Sequence, residues 1–262
     1  MTTLIRFDVT DGVARLTFDH PRRLNAINAE MWQALPGLLG RVAEDSSIRV
    51  LLLAGAGERA FCTGNDISEF DTIRADPQAA ARYNSWQRDV TVALQGLEKP
   101  VIAAIHGYCL GAGLEFALMS DFRLCAADAR IGIPAVRLGL PYRLEDIAKV
   151  IDVVGLARAR EMVLLGRQYD GEELLTLGLV QRMLPDRTAL DDAASELAAE
   201  LAANAPLSLM AAKIAFQELT RRDGPPDLAR AQVAADRCYA SADYIEGRRA
   251  RAEKRPPAFT GR

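Results

Sequence analysis

Residues 101–119, VIAAIHGYCLGAGLEFALM, constrain this chain more than any other segment. At about 20 residues such a run is long enough to cross a bilayer. It nevertheless carries His106, Glu115 and glycines at 107, 111 and 113. A carboxylate facing lipid at mid-membrane costs about 2.5–3.5 kcal/mol on insertion scales. A buried strand, a glycine turn and a buried helix satisfy the same residues inside a water-soluble fold. That reading already demands layers on both sides of the segment.

Further apolar runs at Ala14–Phe18, Val50–Ala54, Val101–Ile105 and Phe122–Ala126 read as strands. Helical patterns lie between them at Asn28–Val42, with Asn28 as N-cap, at Ala79–Leu97 and at Ala112–Met119. Strands alternating with helices predict an α/β fold. After about residue 143 the pattern becomes almost wholly helical. Segments Leu144–Val154, Leu156–Leu165, Gly171–Leu177, Ala189–Asn204, Leu207–Arg221, Asp227–Cys238 and Ser241–Ala252 are punctuated by glycine and proline. No sequence repeat is visible, although a repeated strand–helix unit is compatible with this order.

The 262 residues carry a net charge of −3. Nothing resembles the basic footprint of a nucleic-acid binder. The one dense basic run is Arg248, Arg249, Arg251, Lys254 and Arg255. Glu246 and Glu253 interrupt it, so it reads as a solvated helix face, with a patch for a coenzyme A phosphate as the sharper alternative. Four scattered cysteines and two histidines offer no metal-ligand spacing. The cysteines read as reduced thiols in a cytoplasmic compartment. The start, MTTLIRFDVTDG, lacks the apolar stretch of a signal peptide.

Three loops carry candidate chemistry. In Ala60–Ser68, AFCTGNDIS, Gly64 permits unusual torsions and Asp66 can cap the next few residues. Such a loop turns a backbone N–H toward a ligand, or is an ordinary turn. In His106–Glu115, a strand meets three glycines and then an apolar helix, which leaves helix N-terminal N–H groups open to an oxyanion. Glu115 lies among apolar residues there, and a buried carboxyl is either partnered or functional. The segment is not a dinucleotide fingerprint, because Phe116 occupies the third glycine position. In Gly132–Asp146, GIPAVRLGLPYRLED, Tyr142 stands at the mouth of a helix, as a packed aromatic or as a polar group facing substrate.

In this order and spacing, the three loops resemble the crotonase (enoyl-CoA hydratase/isomerase) superfamily. HPRRLNAIN at 20–28, AFCTGNDI at 60–67, Lys99–Leu140 and GLVQRML at 178–184 carry the likeness, which spans essentially the whole chain. It implies an α/β fold of ββα superhelical turns over residues 1–195. A helical part over 196–262 would mediate trimer packing, with trimers pairing into hexamers. The substrate implied is an acyl-CoA, with coenzyme A as part of the substrate and no separate cofactor, metal, nucleic acid or membrane. By position, the oxyanion-hole N–H groups fall on Asn65 and Ala112. The coenzyme A contacts fall on Arg22, Leu24, Ala26, Ala60, Asp66, Ile67 and Ser68. Residues 70–87 would shape the acyl pocket.

The resemblance also implies two glutamates for hydratases of this family. The first matches Glu115; the second falls on Ala135, which cannot move a proton. Glu145 and Asp146 lie about ten residues downstream and are alternative acids. Loss of the second glutamate together with GLPY is similar to methylmalonyl-CoA decarboxylases of the superfamily. There Tyr142 and Glu115 would line the site. The sequence thus predicts an acyl-CoA lyase or isomerase of the enoyl-CoA hydratase type. Decarboxylation of a substituted malonyl-CoA, and acyl-CoA binding without catalysis, are the alternatives.

Overall fold

The computed structural model describes residues 2–262. The chain opens on an antiparallel hairpin of β1 (Ile5–Thr10) and β2 (Val13–Phe18). Its two-residue turn, Asp11-Gly12, has both residues at positive φ, as tight hairpins require. Helix α1 (Ala29–Glu44) follows, capped by Asn28, whose side chain accepts from Met31 N at 2.9 Å.

The chain then repeats one move. A longer strand joins a large sheet and a three-residue strand joins a small one. The pairs are β3 (Val50–Gly55) with β4 (Ala60–Cys62), β5 (Val101–Ile105) with β6 (Tyr108–Leu110), and β7 (Phe122–Ala126) with β8 (Arg130–Gly132). In the last pair the short strand comes first: β9 (Gln168–Asp170), then β10 (Arg182–Leu184). The large sheet runs β1-β2-β3-β5-β7-β10, parallel from β2 onward. The small sheet runs β4-β6-β8-β9, with only β9 antiparallel. This is the spiral of ββα turns that the resemblance implies.

Helices α2 (Phe70–Ile73), α3 (Pro77–Gln95), α4 (Ala112–Leu118), α5 (Leu144–Leu165) and α6 (Glu172–Thr176) decorate the spiral. The chain ends in α7 (Arg187–Ala203), α8 (Pro206–Leu219), α9 (Leu228–Tyr239) and α10 (Ala242–Glu253). The segments expected as Leu144–Val154 and Leu156–Leu165 meet end to end in α5. The break between them is Gly155, at φ 75° and ψ 163°.

Strands β3 and β5 are apolar runs because both of their faces are covered; β7 is alike except for the buried Arg123, whose guanidinium donates to Leu179 O and Ser120 O. Leu51, Leu53, Ala103, Ile105 and Cys125 face the main core with Met31, Leu35 and Phe116. The alternate residues Val50, Leu52, Ile102, Ala104 and Leu124 face α7 through Leu190, Ala193, Ala194 and Ala198. Helix α7 runs through residue 195, and Leu201 and Ala202 beyond it still belong to that layer. Two members of the basic run at the C-terminus are paired within it. Arg255 binds Glu246 at 2.6 Å and Glu253 at 2.6 Å, and Arg249 lies 3.4 Å from Glu253. Among the described residues, no helix is long and apolar enough to cross a membrane.

Candidate active site

The 60–68 and 106–115 loops are brought together by the small sheet, because β4 pairs with β6. Two glycines let them touch. Gly64, at φ +92°, lies so close to the second loop that a Cβ would stand 2.9 Å from Leu110 O and 3.1 Å from Ala112 N. A Cβ on Gly113 would collide with the Cys62 carbonyl. The N-terminal segment is stitched alongside. Ile27 N donates to Gly64 O (2.7 Å) and Asp66 N to Ile27 O (2.9 Å). Asn25 donates through Nδ2 to Ala56 O and Ala60 O, at 2.9 and 2.7 Å.

Asn65 and Ala112 both line a cavity of about 190 Å³. Among the described residues, neither backbone N–H finds an acceptor in the protein. The Asn65 side chain is held firmly. Its Oδ1 accepts from Trp32 Nε1 (3.1 Å), Tyr83 Oη (2.9 Å) and Gln87 Nε2 (2.9 Å). Trp32 Nε1 also donates to Tyr83 Oη at 2.9 Å, and Trp32, Tyr83 and Gln87 are all buried. Three donors on one amide oxygen fix the residue whose N–H faces the cavity.

Glu115 reaches the cavity from the first turns of α4. It is 7% exposed. Burial, reinforced by the Asp146 carboxylate, raises its pKa to about 7, against the opposing pull of Lys149 and Arg143. A guanidinium nitrogen of Arg143 lies 3.7 Å from Glu115 Oε2. Arg143 Nε donates to Asp146 at 2.6 Å, and Lys149 Nζ donates to the other Asp146 oxygen at 2.9 Å. Asp146, considered as a substitute acid, is therefore engaged by two cations. Glu145 lies 3.8 Å from Arg143 and is about half exposed.

Tyr142 also lines the cavity, and its Oη is buried without a hydrogen-bond partner. Burial, with Glu115 and Asp146 nearby, pushes the phenol well above its ordinary pKa. Ala135 lines the same cavity and presents only a methyl group. Thus Asn65, Ile67, Ala112, Glu115 and Tyr142 share one cavity. Arg22, Leu24, Ala26, Ala60, Asp66 and Ser68 are not in its lining. Leu24 and Ala60 sit beside the first loop, where Leu24 O accepts from Thr63 Oγ1 (3.2 Å). Arg22 and Ser68 are exposed; Asp66 is buried and accepts from Ser68 N (3.0 Å) and Oγ (2.7 Å). From the 70–87 segment, Phe70, Arg74, Asn84 and Gln87 contribute to the lining.

His106 is not in that lining. Its Nε2 is 2.9 Å from Gly57 O, and burial with the adjacent Arg187 lowers its pKa to about 4. Sequence reasoning did not single out Arg74, Arg143, Lys149 or the Trp32–Tyr83–Gln87 cluster. The spacing of Tyr83 and Gln87, one helical turn apart, was the only local signal that two of them share a face.

The family profile described as enoyl-CoA hydratase/isomerase matches residues 8–262. The short-chain-enoyl-CoA hydratase of Clostridium acetobutylicum is 30% identical over 243 residues, covering 93% of this chain and 92% of that protein. The 1,2-epoxyphenylacetyl-CoA isomerase of Escherichia coli K12 is 36% identical over 267 aligned positions, covering 100% of both. Among solved structures, an enoyl-CoA hydratase/carnithine racemase from Magnetospirillum magneticum superposes with a TM-score of 0.92. It is 34% identical, with 100% of this chain and 97% of that one covered.

Proposed function

We propose that this chain, which belongs to the enoyl-CoA hydratase/isomerase family, holds an acyl-CoA thioester oxygen on two backbone N–H groups and moves protons with Glu115 alone. The observation that carries this reading is a pair of acceptor-free N–H groups, Asn65 and Ala112, in the same cavity as a carboxyl of pKa about 7. As the thioester becomes an enolate, charge moves onto its oxygen. Each donor aimed there is worth about 2.7–4 kcal/mol in the transition state. Glu115, close to half ionised at neutral pH, can take a proton from carbon and return it.

Ala135 and the engaged Asp146 leave no second free carboxyl to activate water. Enoyl-CoA hydration then proceeds about 10²–10⁴-fold below a two-glutamate site. Proton shifts along the acyl chain need only the one acid/base. The strip formed by residues 22–26 beside 60–68 supports a coenzyme A contact surface of Arg22, Leu24, Ala26, Ala60, Asp66, Ile67 and Ser68. Exposed apolar side chains on the C-terminal helices, Phe216, Leu219, Leu228, Val233 and Ile245, support assembly into trimers and paired trimers. Four free cysteines, three of them buried, support a reducing cytoplasmic setting.

A second reading, decarboxylation of a substituted malonyl-CoA, is favoured by the partnerless Tyr142 hydroxyl. The test is a mass-spectrometric panel of enoyl-CoA and malonyl-type thioesters. Interconversion of enoyl thioesters that disappears in Glu115→Gln supports the first reading. Carbon dioxide release from methylmalonyl- or ethylmalonyl-CoA, lost in Tyr142→Phe, supports the second. No turnover of any thioester overturns both and leaves a binding protein.

A further inference from the structure

The proposed chemistry has no use for Arg74, yet Arg74 lines the cavity. It stands just beyond α2, with its guanidinium carbon 4.5 Å from the Phe70 ring centroid and 4.8 Å from that of Tyr83. Its Nε is buried and has no hydrogen-bond partner. Among the described residues, no carboxylate lies within ion-pair distance of it, and the charged neighbour it feels is another cation, Arg143. Burial, and then that cation, push its pKa down. Arg143 and Lys149 have Asp146 between them. In the cavity lining the cations Arg74 and Arg143 stand against the carboxyls Glu115 and Asp146, and both carboxyls are reached by Arg143 rather than by Arg74.

Buried polar atoms without partners are rare and call for an explanation. Among the described residues there are four such side-chain atoms. Two of them, on Arg167 and Tyr169, belong to side chains stacked on each other. The other two, Arg74 Nε and Tyr142 Oη, both belong to side chains in the lining of this one cavity. The Phe70 and Tyr83 rings, set edge to face with centroids 6.3 Å apart, both pack against the Arg74 guanidinium and leave its Nε unpaired. A guanidinium with N–H groups to spare matches a carboxylate as a two-pronged donor.

The Tyr83 ring also fixes the distance scale. Its face carries Arg74 and its hydroxyl holds Asn65. Asn65 and Arg74 line the same cavity, and the Tyr83 ring spans from the Asn65 side chain to the Arg74 guanidinium. Resting on the acyl-CoA reading above, we propose that Arg74 binds a carboxylate at the far end of the acyl chain. The substrate class is then CoA thioesters of dicarboxylic acids. A coenzyme A phosphate carries the same anionic chemistry, and the experiment separates the two sources.

The test uses saturated thioesters, so that it is independent of turnover. Full-length protein is titrated calorimetrically with adipyl-CoA, with hexanoyl-CoA of the same chain length, and with free coenzyme A. Adipyl-CoA should bind about 10- to 100-fold more tightly than hexanoyl-CoA, the range for a hydrogen-bonded charged group. Arg74→Met should abolish that preference and leave hexanoyl-CoA and free coenzyme A unchanged, while Arg74→Lys keeps part of it. Equal affinity of the wild type for adipyl- and hexanoyl-CoA would overturn the proposal without any variant. Weakening of all three ligands alike in Arg74→Met would assign Arg74 to coenzyme A or to the fold, and would also overturn it. If none of the three binds, the acyl-CoA reading itself fails.

Discussion

Replacing Glu115 with Gln should make the protein more stable at pH 8 while removing its catalysis. The folded pKa is raised from the ordinary 4.5 to about 7, chiefly by burial. Folding therefore favours the protonated carboxyl. The stability associated with it is fully present below the unfolded pKa, and is lost as pH rises through about 7. At 1.36 kcal/mol per pKa unit, the raised pKa costs the native state about 3 kcal/mol at pH 8 and about 0.8 kcal/mol at pH 5. Gln has the shape of the protonated acid and never ionises. Glu115→Gln should thus raise the melting temperature by about 5–10 °C at pH 8, given about 2–4 °C per kcal/mol for a chain of this size. At pH 5 the difference should shrink to about 2–3 °C. Melts at matched protein concentration in both buffers read this directly. A variant that is no more stable than wild type at pH 8, or stabilised equally at both values, would refute a carboxyl strained by burial.

The same group sets a kinetic expectation. kcat/KM for an enoyl-CoA should fall as pH drops through about 7, because the base is then protonated; a profile flat between pH 5 and 8 would contradict Glu115 as that base. Tyr83→Phe removes one of three donors from Asn65 Oδ1 and should lower kcat by about tenfold with little change in KM, as small misplacements of a reacting centre do. Unchanged kcat would mean that Trp32 and Gln87 hold Asn65 unaided.

How much was legible in the sequence depends on how locally each feature is determined. Strands β3 and β5, and β7 apart from Arg123, show themselves because two cores, one of them under α7, call for apolar residues on both faces. Strands β4, β6, β8 and β9 have three residues each, fewer than any periodicity needs, and they exist through their neighbours in the ladder. Yet it is those short strands that bring the 60–68 and 106–115 loops together. The loops themselves are visible through Gly64, Gly111 and Gly113. Helix caps such as Asn28 are local and were readable. The charge cluster is not, because the partners are chosen in space. Arg143, Asp146 and Lys149 lie a turn apart on α5, but Glu115 comes from α4. Trp32 meets Asn65 across 33 residues and Tyr83 across 51. Arg74 falls outside the helical patterns of the sequence, and no local signal marks the two rings that pack on it.

The pairing of β4 with β6 also acts as a gauge. Neighbouring strands in a sheet stand about 4.8 Å apart. Two N–H groups at that separation, each about 2.9 Å from its acceptor, converge on a single oxygen with nearly tetrahedral spread. Asn65 lies three residues past β4 and Ala112 two residues past β6. The backbone ladder therefore contributes to the span between the two proposed donors, and the Asn65 side chain, held by Trp32, Tyr83 and Gln87, steadies one of them. A change in the β4–β6 register, already bulged between Ala60 and Cys62, would detune both donors at once.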